Sequence, residues 1–204
     1  MNDATPIKRG RKFDQVIEGA RSVFLSDGYE GASVDAIAKA AGVSKATLYS
    51  YFPDKRLLFM EVARSECGAQ IDEAGEILDT GVPAPQALRN AALRITEFVL
   101  SDFGQAIFRM CVAESDRFPD LGREFFRTGP EVFRGQLAAY VRHAADKGEL
   151  SVDDVALAAD QFIELCHSTL FVERVFGIRD AYTRAELERV VDGAVDMFMA
   201  RYGA

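Results

Sequence analysis

The sequence predicts an all-α protein, and three observations carry that prediction. Apolar residues recur at intervals of three and four along most of the chain, the spacing that gathers side chains onto one face of a helix. No segment sustains the period-two alternation of a half-buried strand. Capping residues and Gly or Pro stops punctuate the periodic segments. The 204 residues are 49% apolar and 27% charged, a globular composition long enough to bury a sizeable core.

The first helix is expected over 12–26, where Phe13, Val16, Ile17, Ala20 and Phe24 form one stripe and Asp27-Gly28 supplies a stop. Ser33 caps a short second helix whose buried face is Val34, Ile37, Ala38 and Ala41. Gly42 ends it, and Ser44 caps a third helix over 45–51. Phe52-Pro53 closes that helix, because Pro disfavours helical geometry in the residue before it. Asp54 then caps a fourth helix running to about 78, and Thr80-Gly81-Val82-Pro83 punctuates the chain. Later helices are expected over 85–100, 103–115, 119–147, 152–175 and 184–202, about nine in all. The 119–147 segment contains Gly129-Pro130, so it is either kinked or two helices. Ser151 with Asp154, and Thr183 with Glu186, read as capping boxes opening the last two.

Thirty-two acidic against 24 basic residues give a net charge of -8. As an average, that charge argues against nucleic acid and anionic membrane as partners. It is unevenly spread, however. Up to Arg64 there are 10 basic and 8 acidic residues, and beyond it 14 basic and 24 acidic. The first third is mildly basic and the remainder carries the acidity. No stretch approaches the ~18 consecutive apolar residues of a membrane span, and the polar, basic 1–12 segment is not followed by an apolar signal region. Cys67, Cys111 and Cys166 are odd in number and form no CxxC pair; a reducing, cytoplasmic setting is expected. With only His143 and His167, no metal site is expected, and no cofactor. No GxGxxG, P-loop, HExxH or GxSxG pattern occurs, so no catalytic residue is named.

Two short helices joined at Gly42 and packed on a longer amphipathic one form a helix-turn-helix arrangement. Ala38 is small where helices approach, and Val43 and Leu48 fill a miniature core. The outward face of the third helix offers Lys45, Ala46, Thr47, Tyr49, Ser50 and Tyr51, groups suited to phosphate oxygens and base edges.

Residues 28–38 (Gly-Tyr-Glu-Gly-Ala-Ser-Val-Asp-Ala-Ile-Ala) and 41–55 (Ala-Gly-Val-Ser-Lys-Ala-Thr-Leu-Tyr-Ser-Tyr-Phe-Pro-Asp-Lys) resemble the DNA-binding domain of TetR-type transcriptional repressors. The resemblance covers about fifty residues and implies a basic arm over 1–9, a helix-turn-helix domain over 10–68 and a regulatory and dimerisation domain over 69–204. It implies that Lys45, Ala46 and Ser50 face base edges. Ser33, Ser44, Thr47, Tyr49, Tyr51 and Lys55 would hold phosphates. Two readings stand for Tyr49 and Tyr51, outward contact or helix-packing ring. Two also stand for Lys8, Arg9, Arg11 and Lys12, a solvated tail or an arm along the duplex.

The resemblance further implies a homodimer in which the last two helices pack against their mates, with Phe162, Cys166, Leu170, Leu187, Val191, Ala194, Val195 and Phe198 as the candidate interface. The alternative is that these stripes fill the core of one subunit. Phe118-Pro119-Asp120-Leu121, Gly129-Pro130 and Lys147-Gly148-Glu149-Leu150 resemble one subgroup of these repressors. Candidate effector contacts are Phe103, Met110, Cys111, Glu114, Phe133, Phe162, His167 and Phe171. The expected partners are an operator in double-stranded DNA, a second copy of the chain and an unidentified small, largely apolar effector, with no membrane. A DNA-bound architectural or protein-recruiting factor without an effector, or a helical enzyme, are the alternatives.

Overall fold

A computed structural model of the protein describes residues 10–78, 81–116 and 119–204, with the side chains of all of these except Ile77, Glu114 and Leu121. The expected arm over 1–9, together with Thr80 and Phe118, lies outside the described residues. Ten helices form among the described residues: α1 (Arg11–Gly31), α2 (Val34–Ala40), α3 (Lys45–Tyr51), α4 (Lys55–Leu78), α5 (Ala84–Leu100), α6 (Asp102–Glu114), α7 (Pro119–Thr128), α8 (Pro130–Asp146), α9 (Val155–Val175) and α10 (Arg184–Tyr202). The tenth arises because Gly129 leaves helical geometry and divides 119–147 into α7 and α8. The chain separates into two compact units, one ending at Glu66 and one running from Cys67 to Ala204.

In the first unit, α1 and α2 pack so closely that a Cβ on Gly19 would sit 2.5 Å from the Ala41 nitrogen. Gly28, at φ 69°, breaks α1 three residues before its end, a conformation glycine adopts without a Cβ penalty. Val16, Ile37, Leu48 and Leu58 are fully enclosed. Phe24, Tyr29 and Phe59 meet with centroids 4.9–6.1 Å apart, two of the three pairs edge-on, the arrangement aromatic quadrupoles favour.

The core of the second unit gathers α5, α8, α9 and α10 around Leu88, Leu137, Val141, Ala159, Phe162, Val191 and Phe198. All eight candidate interface residues, Phe162, Cys166, Leu170, Leu187, Val191, Ala194, Val195 and Phe198, are buried in this core. The apolar stripes of α9 and α10 thus face the core of one subunit. The outer sides of the same helices and the turn after α9 leave Leu157, Val172, Phe176, Ile178 and Met197 exposed. Among the described residues α9 alone is long and apolar enough to cross a membrane, and 28% of its most apolar window is buried in the fold.

Capping separates the two expected boxes. Thr183 and Glu186 form theirs in full. Ser151 does not open α9: the Asp154 carboxylate accepts from the Leu157 N–H at 3.0 Å, making Asp154 the cap. The Ser151 N–H donates instead to the Tyr202 carbonyl at 2.7 Å, tying the end of α10 to this turn. A buried guanidinium anchors the α5–α6 corner. Arg174 donates to the Leu100 carbonyl at 3.3 Å and pairs with Asp102 and Asp180.

Candidate nucleic-acid interface

The turn between α2 and α3 is closed by its own backbone. With Gly42 at φ 64°, the Gly42 N–H donates to the Lys39 carbonyl at 3.2 Å and the Val43 N–H to the Ala38 carbonyl at 3.0 Å. This paired closure satisfies carbonyls that the end of α2 leaves without helical donors. One residue later the Ser44 hydroxyl accepts from the Thr47 N–H at 3.1 Å and caps α3, as Ser33 caps α2 through the Ala36 N–H at 3.1 Å. Two short helices are thereby held at a fixed turn with little core of their own.

Leu48 points α3 into the unit, 1% exposed, which turns Lys45, Ala46, Tyr49 and Ser50 to solvent; Ser33 and Ser44 are exposed as well. Tyr49 is 48% exposed. Thr47 is half-buried, its hydroxyl 2.9 Å from that of Ser44. The Ser50 hydroxyl donates to the Thr47 carbonyl at 2.6 Å. The two tyrosines differ in exposure. Tyr51 is half-buried, its ring edge-on to Phe13 at 5.8 Å, while Tyr49 faces outward.

Two cations beside this face have partners within the protein. Lys55 does not project freely at the start of α4. Its ammonium donates to the Tyr29 carbonyl at 2.7 Å and the Ala32 carbonyl at 3.1 Å, and lies 4.5 Å from the Tyr29 ring centroid. It pins the end of α1 to the head of α4. The Lys45 ammonium is paired with the Asp35 carboxylate across the α2–α3 turn. Asp35, Gly19 and Tyr29 were absent from the sequence candidates. Their partners lie 10, 22 and 26 residues away, and no local pattern announces such pairs.

In the second unit, Phe103, Met110, Cys111, Phe133 and Phe162 are buried. Burial pushes the thiols of Cys111 and Cys166 up to about 12, so both remain protonated and unreactive at neutral pH. The Glu114 side chain lies outside the described residues. His167 packs beside Phe171, centroids 5.8 Å apart, with its Nε2 enclosed and without a hydrogen-bond partner. Burial lowers its pKa below the ordinary 6.5, against a raising influence from Glu164. The next residue, Ser168, interrupts α9 at φ 42° and ψ −138°. A groove of about 660 Å³ runs instead along the end of α4 and the side of α8, lined by Asp72, Gly75, Glu76, Leu78, Gln136, Ala139, Tyr140 and His143. None of the candidate effector contacts is among those residues.

A capped, tightly turned helix pair presenting a polar helix, followed by an all-helical body, defines a helix-turn-helix transcriptional regulator. Residues 16–62 match the family described as bacterial regulatory proteins, tetR family, and residues 86–204 match the AefR-like transcriptional repressor, C-terminal domain. The chain belongs to the TetR family, whose members are transcription regulators rather than enzymes. A solved structure of a regulator assigned to this family, from Mesorhizobium loti, superposes with a TM-score of 0.88 at 30% identity, covering 95% of this chain and 98% of that one. The flavonoid-responsive regulator FrrA superposes with a TM-score of 0.73 at 36% identity, covering 96% and 98%. Among curated relatives, the transcriptional repressor AcnR of Corynebacterium efficiens is 34% identical over 76 residues, 37% of this chain and 40% of that protein. The match therefore spans less than half of that relative.

Proposed function

We propose that the protein is a homodimeric, ligand-responsive repressor of the cytoplasm that reads a pseudo-palindromic operator through α3. The observation that carries this reading is the outward face of α3, where Lys45, Ala46, Tyr49 and Ser50 stand exposed on a helix fixed by Leu48 and the Gly42 turn. A major groove admits such a helix, with short and basic side chains at base edges and an aromatic hydroxyl on the backbone. Ser33, Ser44, Thr47 and Tyr51 would add phosphate contacts around it.

The exposed apolar side chains of the second unit support the dimer. Gly193 and Met197 lie at helical spacing on the outer side of α10; Met197 is 61% exposed and a Cβ at Gly193 would meet nothing. With Leu157 and Val172 of α9 they make a surface that a second copy covers, and a two-fold protein matches a two-fold operator. The groove supports the effector. Its apolar floor suits a small ring system, and Asp72, Glu76, Gln136 and Tyr140 offer acceptors to hydroxyl groups. The flavonoid-responsive relative supports ligand control of this kind. Occupation would favour one of two conformations through differential affinity, so that DNA and effector oppose one another.

The test is equilibrium binding of wild-type and Tyr49→Ala protein to a selected and an unrelated duplex, with sedimentation of the free protein. The reading expects a dimer, and similar weakening on both duplexes, because a phosphate contact carries no sequence information. A monomeric wild type, or unchanged binding by the variant, contradicts it.

A further inference from the structure

Lys45 is the first residue of α3 and Asp35 the second of α2. A cation in the first turn of a helix is opposed by the partial positive charge of that end. Asp35 offsets this, since its carboxylate holds the Lys45 ammonium although both side chains are exposed, 59% for Lys45 and 66% for Asp35. An acid is thus placed beside the foremost cation of the reading helix, on a surface where any phosphate would repel it.

The chemistry of the pair distinguishes base edges from backbone. A lysine ammonium has three N–H donors, so it can keep one on Asp35 and offer others to guanine O6 and N7. A carboxylate has no use for a phosphate or a carbonyl edge, whereas the exocyclic amine of cytosine donates to it in the major groove. We propose that Asp35 is a specificity-determining residue, which restrains Lys45 from acting as a general phosphate tether and makes the pair favour a guanine accompanied by a cytosine amine. Where that amine is missing, Asp35 meets the duplex with Lys45 as its one donor and is repelled by the phosphates. The inference rests on the reading of α3 as the DNA-contacting helix.

The experiment compares binding of the full chain to a selected operator and to a random duplex over a range of salt. The proteins are wild type, Asp35→Asn, Lys45→Ala, the double variant and Asp14→Asn, which removes an exposed carboxylate from the first turn of α1. Asp35→Asn is expected to tighten random-duplex binding by about fivefold, the scale of an exposed ion pair, with a salt slope steeper by about one unit. Operator binding gains less, so the ratio of the two affinities falls. The ratio is expected to stay constant in Asp14→Asn, and the effect of Asp35→Asn to shrink in the Lys45→Ala background. Equal gains on both duplexes, or an undiminished effect without Lys45, overturn the role of Asp35 while leaving α3 as the reader. Unchanged binding by Lys45→Ala on both duplexes overturns both.

Discussion

Gly19 and Ala41 meet backbone to backbone: a Cβ on Gly19 would lie 2.5 Å from the Ala41 nitrogen and 2.7 Å from the Ala41 Cβ. The contact sets α1 against the last residue before the Gly42 turn, so it positions α3. Alanine raises helix propensity at this site by up to ~1 kcal/mol, but forced overpacking costs about 1–3 kcal/mol. Gly19→Ala is therefore expected to lower the unfolding midpoint in urea and to weaken duplex binding. An unchanged midpoint would show that the helices part without cost.

Lys55 uses two of its three donors on the Tyr29 and Ala32 carbonyls. Lys55→Met keeps the apolar stem and removes the charge, so it is expected to destabilise the protein by about 1.5–3 kcal/mol, the range for hydrogen bonds to a charged group. Denaturation and salt-dependent binding separate this tie from a phosphate contact. Undiminished stability with a salt slope smaller by about one unit would return Lys55 to the phosphate.

Local chemistry made much of this fold legible in advance. Ser33, Ser44 and Thr183 cap their helices through the residue three positions on, a relation contained in a few consecutive residues. Gly42 and Gly28 were readable for the same reason, since a left-handed turn needs glycine whatever packs around it. The boundary at Asp154 was harder, because Ser151 and Asp154 are both good caps and the choice was made by a distant partner, the Tyr202 carbonyl. The outward face of α3 was legible from the spacing of Leu48. What Lys45 of α3 and Lys55 of α4 do was not, since Asp35 and Tyr29 are remote in sequence from them. The stripes of α9 and α10 were correctly seen as apolar, but periodicity alone does not tell a subunit core from an interface.

Arg174 is 7% exposed and bridges the Leu100 carbonyl to Asp102 and Asp180. The two carboxylates are themselves mostly solvated, so removing the cation costs less than breaking a fully buried pair. Arg174→Met leaves the carbonyl without this donor, and a loss of about 1–3 kcal/mol is expected in urea denaturation. A variant as stable as the wild type would show that water replaces the guanidinium.

His167 is half-buried with its Nε2 enclosed, and desolvation holds its pKa below the ordinary 6.5. The unfolded chain therefore takes up this proton more readily than the folded one. Stability is expected to be highest above pH 6.5 and to fall as pH drops from there towards the lowered folded value. His167→Phe removes the titration without stranding a partner, because Nε2 has none. The variant should lose this part of the acid sensitivity when thermal midpoints are compared between pH 7.5 and 5.5. A decline as steep as that of the wild type would assign the sensitivity to other groups.

The role of α3 as a two-fold DNA reader is tested most directly by selection of duplexes from a random pool by the intact protein, followed by alignment of the retained sequences. A two-fold reader is expected to enrich an inverted repeat with half-site centres ~34–36 Å apart or a multiple of that spacing. The enriched repeat should lose its sequence consensus when the selection is repeated with Lys45→Ala. Retained duplexes with no shared repeat, or an unaltered consensus in that variant, would contradict the assignment of α3 as the element that reads DNA.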